Sequence, residues 1–287
     1  MPKIGIIGGS GIYKIEGMKA MKEVRVKTPF GDPSDCYRTG QLGGADVVFL
    51  PRHGSSHTIN PSEINYRANV FGMKKLGVEK LISVSACGSL KKDLKPLDFV
   101  LPDQFVDRTT GGRLMTFFGN GIVAHVGFGQ PVCSELLDLI YGAAQALKLN
   151  VHKGGVYLNM EGPAFSTKAE SNLYRTWGMD IIGMTNMAEA RLAREAEMCY
   201  ATIAAVTDYD CWYESEESVT VDMIVENLRK NAENSKKLVM EVVGRLGSAP
   251  SSCACSESLK YAIVTDSKAI SAKVKKDLKP ILGKYVG

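Results

Sequence analysis

Two carboxylates, Asp208 and Asp210, follow an apolar, β-compatible run at residues 201–206 and stand beside Thr207 and Tyr209. Acids at the end of a buried strand cost free energy unless they find a partner, a proton or a ligand. Open α/β sheets bind ligands beyond the carboxyl ends of their strands. The stretch therefore reads as one wall of a small-molecule pocket, with a solvated loop as the plainer alternative. Other predicted strand ends carry the opposite chemistry. Ser10 follows a strand at 3–7, Arg52 and His53 follow one at 47–50, Ser85 one at 80–84, and Thr185 one at 180–184. Hydroxyls, a guanidinium and an imidazole suit an oxyanion. Phe165, just ahead of a helix start, can stack on a flat ligand. Asp210 would accept from an exocyclic amino group, and a protonated Asp208 would donate to a ring nitrogen. Phosphate donors facing a heteroaromatic-amine site point to nucleoside phosphorolysis. Protonating the leaving base is worth roughly 10²- to 10⁴-fold. Free aspartic acid titrates near ~3.9, so the mechanism requires a desolvated site that raises Asp208.

Rival motifs fail on spacing. A G-x-G-x-x-G run from Gly9 needs glycine where Lys14 stands, which argues against a nicotinamide oxidoreductase. A Walker Gly-Lys-Ser/Thr is absent, and a nucleophile elbow around Ser10 needs glycine where Ile12 stands. Gly8-Gly9-Ser10-Gly11 remains open between a phosphate loop and a tight turn. His53 and His57 are four apart, but Gly54-Ser55-Ser56 between them is poor helix material, so no metal pair is expected. His125, on a predicted strand at 122–126, reads as a core histidine.

These residues need a scaffold of buried strands alternating with helices. Helices are expected at 63–76, 134–147, 189–197, 222–245 and 268–278. Another starts at the Thr167-Lys168-Ala169-Glu170 capping-box spacing and runs to Trp177. No linker or repeat stands out, so residues 1–287 read as one α/β domain. A chain 45% hydrophobic and 23% charged can bury a sizeable core. Net charge of +4 suits a small anion and does not demand nucleic acid. No apolar run approaches the roughly 20 residues of a membrane span. The first residues enter a strand directly, so no signal peptide and a cytoplasmic location are expected. Cys87 and Cys199 read as small hydrophobes. Cys253-Ala254-Cys255 lies in a Ser- and Pro-rich loop. Zinc wants four ligands and none lies nearby in sequence, so no metal is expected, and a redox-active or structural pair stays open.

The chain resembles the 5′-methylthioadenosine phosphorylases, in the trimeric branch of the purine nucleoside phosphorylases, from Lys3 to about Gly247. The resemblance rests on residues 4–11, Thr28-Pro29-Phe30-Gly31, Pro51-Arg52-His53-Gly54, Asn60-Pro61-Ser62, residues 85–90, Glu161-Gly162-Pro163, Met184-Thr185 and residues 205–212. It implies a twisted mixed sheet closing towards a barrel, flanked by helices and assembled as trimers or dimers of trimers. It implies a pentosyltransferase of purine and methionine salvage, with inorganic phosphate as co-substrate and no cofactor. Ser10, Arg52, His53, Ser85, Ala86 and Thr185 would bind phosphate. Met184 would lie against the ribose, Phe165 would stack on the base, and Asp208, Tyr209 and Asp210 would meet the purine. Asp208 and Asp210 look adenine-selective; 6-oxopurine relatives carry Asn facing N7. Ser166, Val221, Ile224 and Val225 would tune substrate choice, with His125 contributed from a neighbouring subunit. A broader purine nucleoside or methylthioinosine phosphorylase is the alternative activity, and a nucleoside sensor without turnover the alternative class. Gly183 departs from the Asn of animal-type members, and Ser10 and Ser85 replace threonines. The Cys253/Cys255 tail resembles that of thermophilic members and implies disulfide stabilisation, with Cys133 and Cys199 a further pair.

Overall fold

The computed structural model describes residues 2–214, 221–246 and 252–286; the side chains of 221–224 are outside the description. In chain order the strands are β1 (Lys3–Gly8), β2 (Lys19–Val24), β3 (Tyr37–Leu42), β4 (Ala45–Pro51), β5 (Val78–Ser89), β6 (Phe99–Leu101), β7 (Gln104–Arg108), β8 (Val151–Lys153), β9 (Val156–Met160), β10 (Ile181–Gly183) and β11 (Cys199–Tyr209). The helices are α1 (Tyr66–Lys75), α2 (Ser134–Ala146), α3 (Lys168–Thr176), α4 (Asn186–Glu195), α5 (Val221–Leu246), α6 (Ala272–Asp277) and α7 (Lys279–Leu282), with a 3-10 turn at Ala254–Glu257.

All eleven strands belong to one mixed sheet, flanked by helices. Its centre is four parallel strands in the order β4, β1, β5 and β11. Their near-continuous burial is that of parallel strands covered on both faces. Alternate residues face opposite cores. Ile7, Val48 and Leu50 join the α1 and α4 side, with Phe71 and Leu192. Ile4, Ile6, Val47 and Phe49 join the α2 and α5 side, with Ile140 and Val242. Each fully buried aliphatic side chain contributes about 1.5–3 kcal/mol relative to exposure. Leu259, Ile270, Ile281 and Leu282 complete the first core, so the tail beyond α5 is packed into the body.

The strands that carry the site are longer than their apolar runs suggest. β5 continues through residues 85–89 because its second half pairs antiparallel with β10, while β11 pairs along its length. The sheet thus branches at β5, one arm passing through β10, β9 and β7, the other through β11, β6 and β8. The expected strand at 122–126 is only a bridge, Ala124 to Ile263. The expected helix at 268–278 is two short ones. Ser271 caps the first through Val274, and Pro280, which has no N–H to donate, opens the second. The capping box at Thr167 and Glu170 forms as read.

No disulfide links any of the seven cysteines in this structure. Cys253 and Cys255 are separated by one residue, and Cys253 is extended where Ala254 starts the 3-10 turn. The Cys199 and Cys253 sulfurs lie 3.3 Å apart, beyond the about 2.05 Å of a bond.

Candidate active site

Parallel strands place their carboxyl ends on one side, and short backbone hydrogen bonds lock the first turns together there. Gly9 N donates to Val84 O and Arg52 N donates to Gly8 O, both at 2.9 Å. A Cβ on Gly9 would lie 2.6 Å from Val84 O and 2.7 Å from Arg52 Nη1, so only glycine permits this approach.

Above these ends lies a cleft of about 480 Å³, within the roughly 300–1,000 Å³ usual for small-molecule sites. Ser10, Arg52, His53, Ser85, Ala86 and Thr185 line it together with Phe165, Met184, Asp208 and Asp210. The residues read from sequence as oxyanion-binding and as base-binding, as named here, therefore line one cavity.

The phosphate half differs from expectation in charge. Arg52 is almost fully buried and paired bidentately with Glu189, Nε to Oε1 at 2.5 Å and Nη2 to Oε2 at 3.1 Å. Nη2 also donates to Ser83 Oγ at 2.6 Å and Nη1 to Val84 O at 3.1 Å. Four of a guanidinium's five N–H donors are thus committed. Glu189 sits on α4, 137 residues away in sequence. The signal for it was a lone acid amid apolar and small residues, Met187-Ala188-Glu189-Ala190. Asn186 completes the support. Its Nδ2 reaches Ser83, Tyr200 and Thr202, and its Oδ1 accepts from Ser85 Oγ at 2.8 Å. Thr185 is the N-cap residue of α4, and its hydroxyl caps no backbone N–H of that helix. A helix N-terminus favours an anion.

His53 Nδ1 donates to Ile59 O, 2.8 Å away, and its ring stacks on His57 with ring centroids 4.5 Å apart. A carbonyl can only accept, so Nδ1 carries the proton. Burial, and then the Arg52 charge, lower the imidazole to about 4. His53 is therefore neutral, with Nε2 as an acceptor.

The base half is shaped by a bulge. The β5–β11 register shifts between Val206 and Asp208, leaving Thr207 unpaired. Thr207, Asp208 and Asp210 line the cleft. Tyr209 does not: its hydroxyl donates to Lys92 O and its ring stacks on Tyr213 at 4.2 Å. From α5, Asn227 Nδ2 holds Thr207 O at 3.1 Å and Asn231 Nδ2 holds Val206 O at 2.7 Å. Burial raises the Asp208 carboxyl above its ordinary value; the Thr207 hydroxyl opposes this at 2.5 Å, and Asp210 adds to it. Asp210 Oδ2 is buried without a hydrogen-bond partner among the described residues. A buried acceptor left unpaired costs about 1–3 kcal/mol, so it calls for an incoming donor.

The specificity positions fare unevenly. Ser166 is not among the lining residues, but its Oγ lies 3.7 Å from Sδ of Met160, which is. Val225 is 59% exposed, and the side chains of Val221 and Ile224 lie outside the described residues. His125 is exposed and away from the cleft of its own chain. At Gly183 a side chain would meet Tyr157: a Cβ would fall 1.8 Å from the phenol oxygen. That hydroxyl is the physical reason for glycine where the resemblance expects asparagine. His57, Asn60 and Gly88 line the cleft as well, though no site role was read for them from the sequence.

A strand-end cleft joining oxyanion donors to paired aspartates is the site of a phosphorylase, and the chain belongs to the phosphorylase superfamily, whose family model matches residues 3–244. Among named relatives it is similar to S-methyl-5′-thioadenosine phosphorylase of Geobacter sulfurreducens, 53% identical over 283 residues and 99% of each chain. The protein of that name from Koribacter versatilis is 55% identical over 285 residues, 99% of this chain and 97% of that one. A crystal structure of methylthioadenosine phosphorylase from an antarctic soil metagenomic library superposes with a TM-score of 0.93 at 45% identity, covering 98% of this chain and 99% of that one. Methylthioadenosine phosphorylase from Schistosoma mansoni in complex with tubercidin superposes with a TM-score of 0.82 at 39% identity, covering 87% and 93%.

Proposed function

We propose that the chain cleaves 5′-methylthioadenosine with inorganic phosphate to adenine and 5-methylthioribose 1-phosphate. A phosphate oxygen bonds to C1′ as the C1′–N9 bond breaks, and that electron pair passes to the base. Asp208, as the carboxylic acid, supplies a proton at N7. Asp210 accepts from the 6-amino group, and Ser10, Ser85 and Thr185 hold the phosphate on the opposite side of the sugar. The observation that carries this reading is Asp210 Oδ2: a buried, unpaired acceptor beside a carboxyl raised by burial, in the same cleft as the oxyanion donors. The names of the relatives above support the methylthio substrate.

The assembly and location belong to the same proposal: a trimer or dimer of trimers in the cytoplasm. Among the described residues, no helix is long and apolar enough to cross a membrane. Exposed Val123, Tyr261 and Val264 stand next to His125 around the Ala124–Ile263 bridge. This apolar patch would let His125 reach a neighbour's 5′ pocket.

Incubation with methylthioadenosine, with and without phosphate, tests the activity. Adenine release must depend on phosphate. Phosphate-independent release would make the protein a hydrolase, equal turnover of adenosine and inosine a broader phosphorylase, and binding without product a sensor.

A further inference from the structure

We propose that Cys133, Cys199, Cys253 and Cys255 form a tetrathiolate site for a structural zinc ion that pins the C-terminal tail to the body of the enzyme. Neighbours in sequence supplied only two of these ligands; the fold brings the other two from 54 residues or more away. All four sulfurs lie within 4.8 Å of one another. A tetrahedron with Zn–S bonds of about 2.3 Å places its sulfurs roughly 3.8 Å apart, so small rotations about the Cα–Cβ bonds suffice. Cys133, Cys199 and Cys255 are buried at 3%, 7% and 7% exposure, and Cys253 is half-buried.

The scaffold around the sulfurs is fixed independently of any ion. Cys133 is the N-cap residue of α2, and its N–H is held by Tyr200 O at 2.9 Å, which ties it to the start of β11, where Cys199 stands. Cys133 uses no side-chain cap bond, so its sulfur is not spent on the helix, and a thiolate is favoured at the N-terminus of a thirteen-residue helix. On the tail, Ser252 donates from N and Oγ to Glu135 in the first turn of α2, with Oγ to Oε1 at 2.6 Å. That contact delivers Cys253 and Cys255 to the other two. Four protein ligands leave no open coordination position, so the ion would be structural and not catalytic. Binding replaces four S–H protons: Zn²⁺ and four thiols give a tetrathiolate complex of charge −2 and four protons. The elements joined are α2, β11 and the segment after α5. That segment carries Leu259, buried in the core, and Ile263, which pairs with Ala124 beside His125.

Disulfide formation is the competing fate. Cys199 and Cys253 are near enough for a thiol oxidant to remove two electrons and two protons and join their sulfurs, which would destroy the ligand set. The full chain, purified without a metal resin and under a non-chelating reductant, is expected to hold one zinc per chain by elemental mass spectrometry. Zinc replaced by Co²⁺ should give the intense visible bands and the near-ultraviolet sulfur-to-metal band of a tetrahedral thiolate site. Cys255→Ser should lose both signals and lower Tm, whereas Cys36→Ser and Cys211→Ser should keep them. The wild-type metal content decides even if Cys255→Ser fails to fold. Metal-free protein after zinc has been supplied, whether as four reactive thiols or as disulfides seen by mass, overturns the proposal; iron in place of zinc overturns the choice of metal.

Discussion

Replacing Asp208 by asparagine separates proton donation from hydrogen bonding at a single atom. The one Thr207 hydroxyl proton has two acceptors in reach, Asp208 Oδ1 at 2.5 Å and Cys87 O at 3.2 Å; donated to the nearer one, it leaves Oδ2 as the oxygen to carry the acidic proton towards the base. In Asp208→Asn the same Thr207 bond selects the amide oxygen for the Oδ1 position. The Nδ2 group then occupies the place of the acid O–H. It can donate a hydrogen bond but cannot give up its proton. For methylthioadenosine the loss should match general-acid catalysis, roughly 10²- to 10⁴-fold in kcat/KM. That equals roughly 3–5 kcal/mol at about 1.36 kcal/mol per tenfold. For methylthioinosine the amide gains a neutral hydrogen bond to the purine, worth about 0.5–1.5 kcal/mol, or up to roughly tenfold. The ratio of the two specificity constants should therefore move towards the 6-oxo substrate by ~10²-fold or more.

The pH profile gives a second reading of the same variant. An acid raised by burial must be protonated to act, so wild-type activity should fall as pH rises through its pKa. Asp208→Asn should lack that alkaline limb. The assay is initial-rate adenine and hypoxanthine release from the two nucleosides across a pH series. An unchanged selectivity ratio, with both substrates falling by the same factor, refutes the assigned role; so does full wild-type activity on methylthioadenosine.

Two further perturbations test the phosphate half. His53 is lowered from its unfolded value near ~6.5 to about 4, so its neutral form contributes stability that is full above that unfolded value and lost as pH falls towards the folded one. Glu195, raised by burial to about 7, titrates with the opposite sign, its contribution weakening as pH rises from the usual carboxylate range. Thermal unfolding from neutral to mildly acid pH should therefore show a smaller acid loss in His53→Gln than in wild type, and parallel curves would refute the neutral-histidine assignment. Glu189→Gln leaves the Arg52 guanidinium buried without a counter-charge, which costs roughly 3–5 kcal/mol. Added phosphate should restore more of the lost Tm in that variant than it adds to wild type; equal shifts would place Arg52 out of reach of the anion.

The parts of the site that were legible in sequence share one physical cause. Buried parallel strands begin as apolar runs, and the runs give way to the small and polar residues that line the cleft, as at Ser10, Ser85 and Asp208, although β5 and β11 themselves continue past the last two. Strands β2 and β3 left no such mark. β2 reads Lys-Ala-Met-Lys-Glu-Val and is exposed along nearly its whole length, so no apolar run marks it. The bulge at Thr207 is also silent, because register is set by the partner strand and not by local composition. It nevertheless accompanies Thr207 and Asp208 lining the cleft while Tyr209 turns to Lys92. The cysteine cluster was hidden for a similar reason: three chain segments supply it, and spacing within one of them shows only a pair.

Glu189 changes how the proposed phosphate half must work, and sequence reasoning placed it only on a helix. An unpaired arginine would bind a phosphate dianion strongly in the ground state, and interactions equally strong before and during reaction do not accelerate it. Here the guanidinium charge is already answered by a carboxylate 2.5 Å away. The anion would meet neutral donors, namely the Ser10, Ser85 and Thr185 hydroxyls and the start of α4, together with the one guanidinium N–H left uncommitted. Such a cradle orients the nucleophile while leaving its charge largely uncancelled. That charge faces the sugar, where positive charge grows as the base departs, so the attraction is greatest in the transition state. Arg52 on this reading is chiefly a positioning residue: it stakes Glu189, Ser83 and the Val84 carbonyl into one frame and fixes the strand ends from which the hydroxyls project.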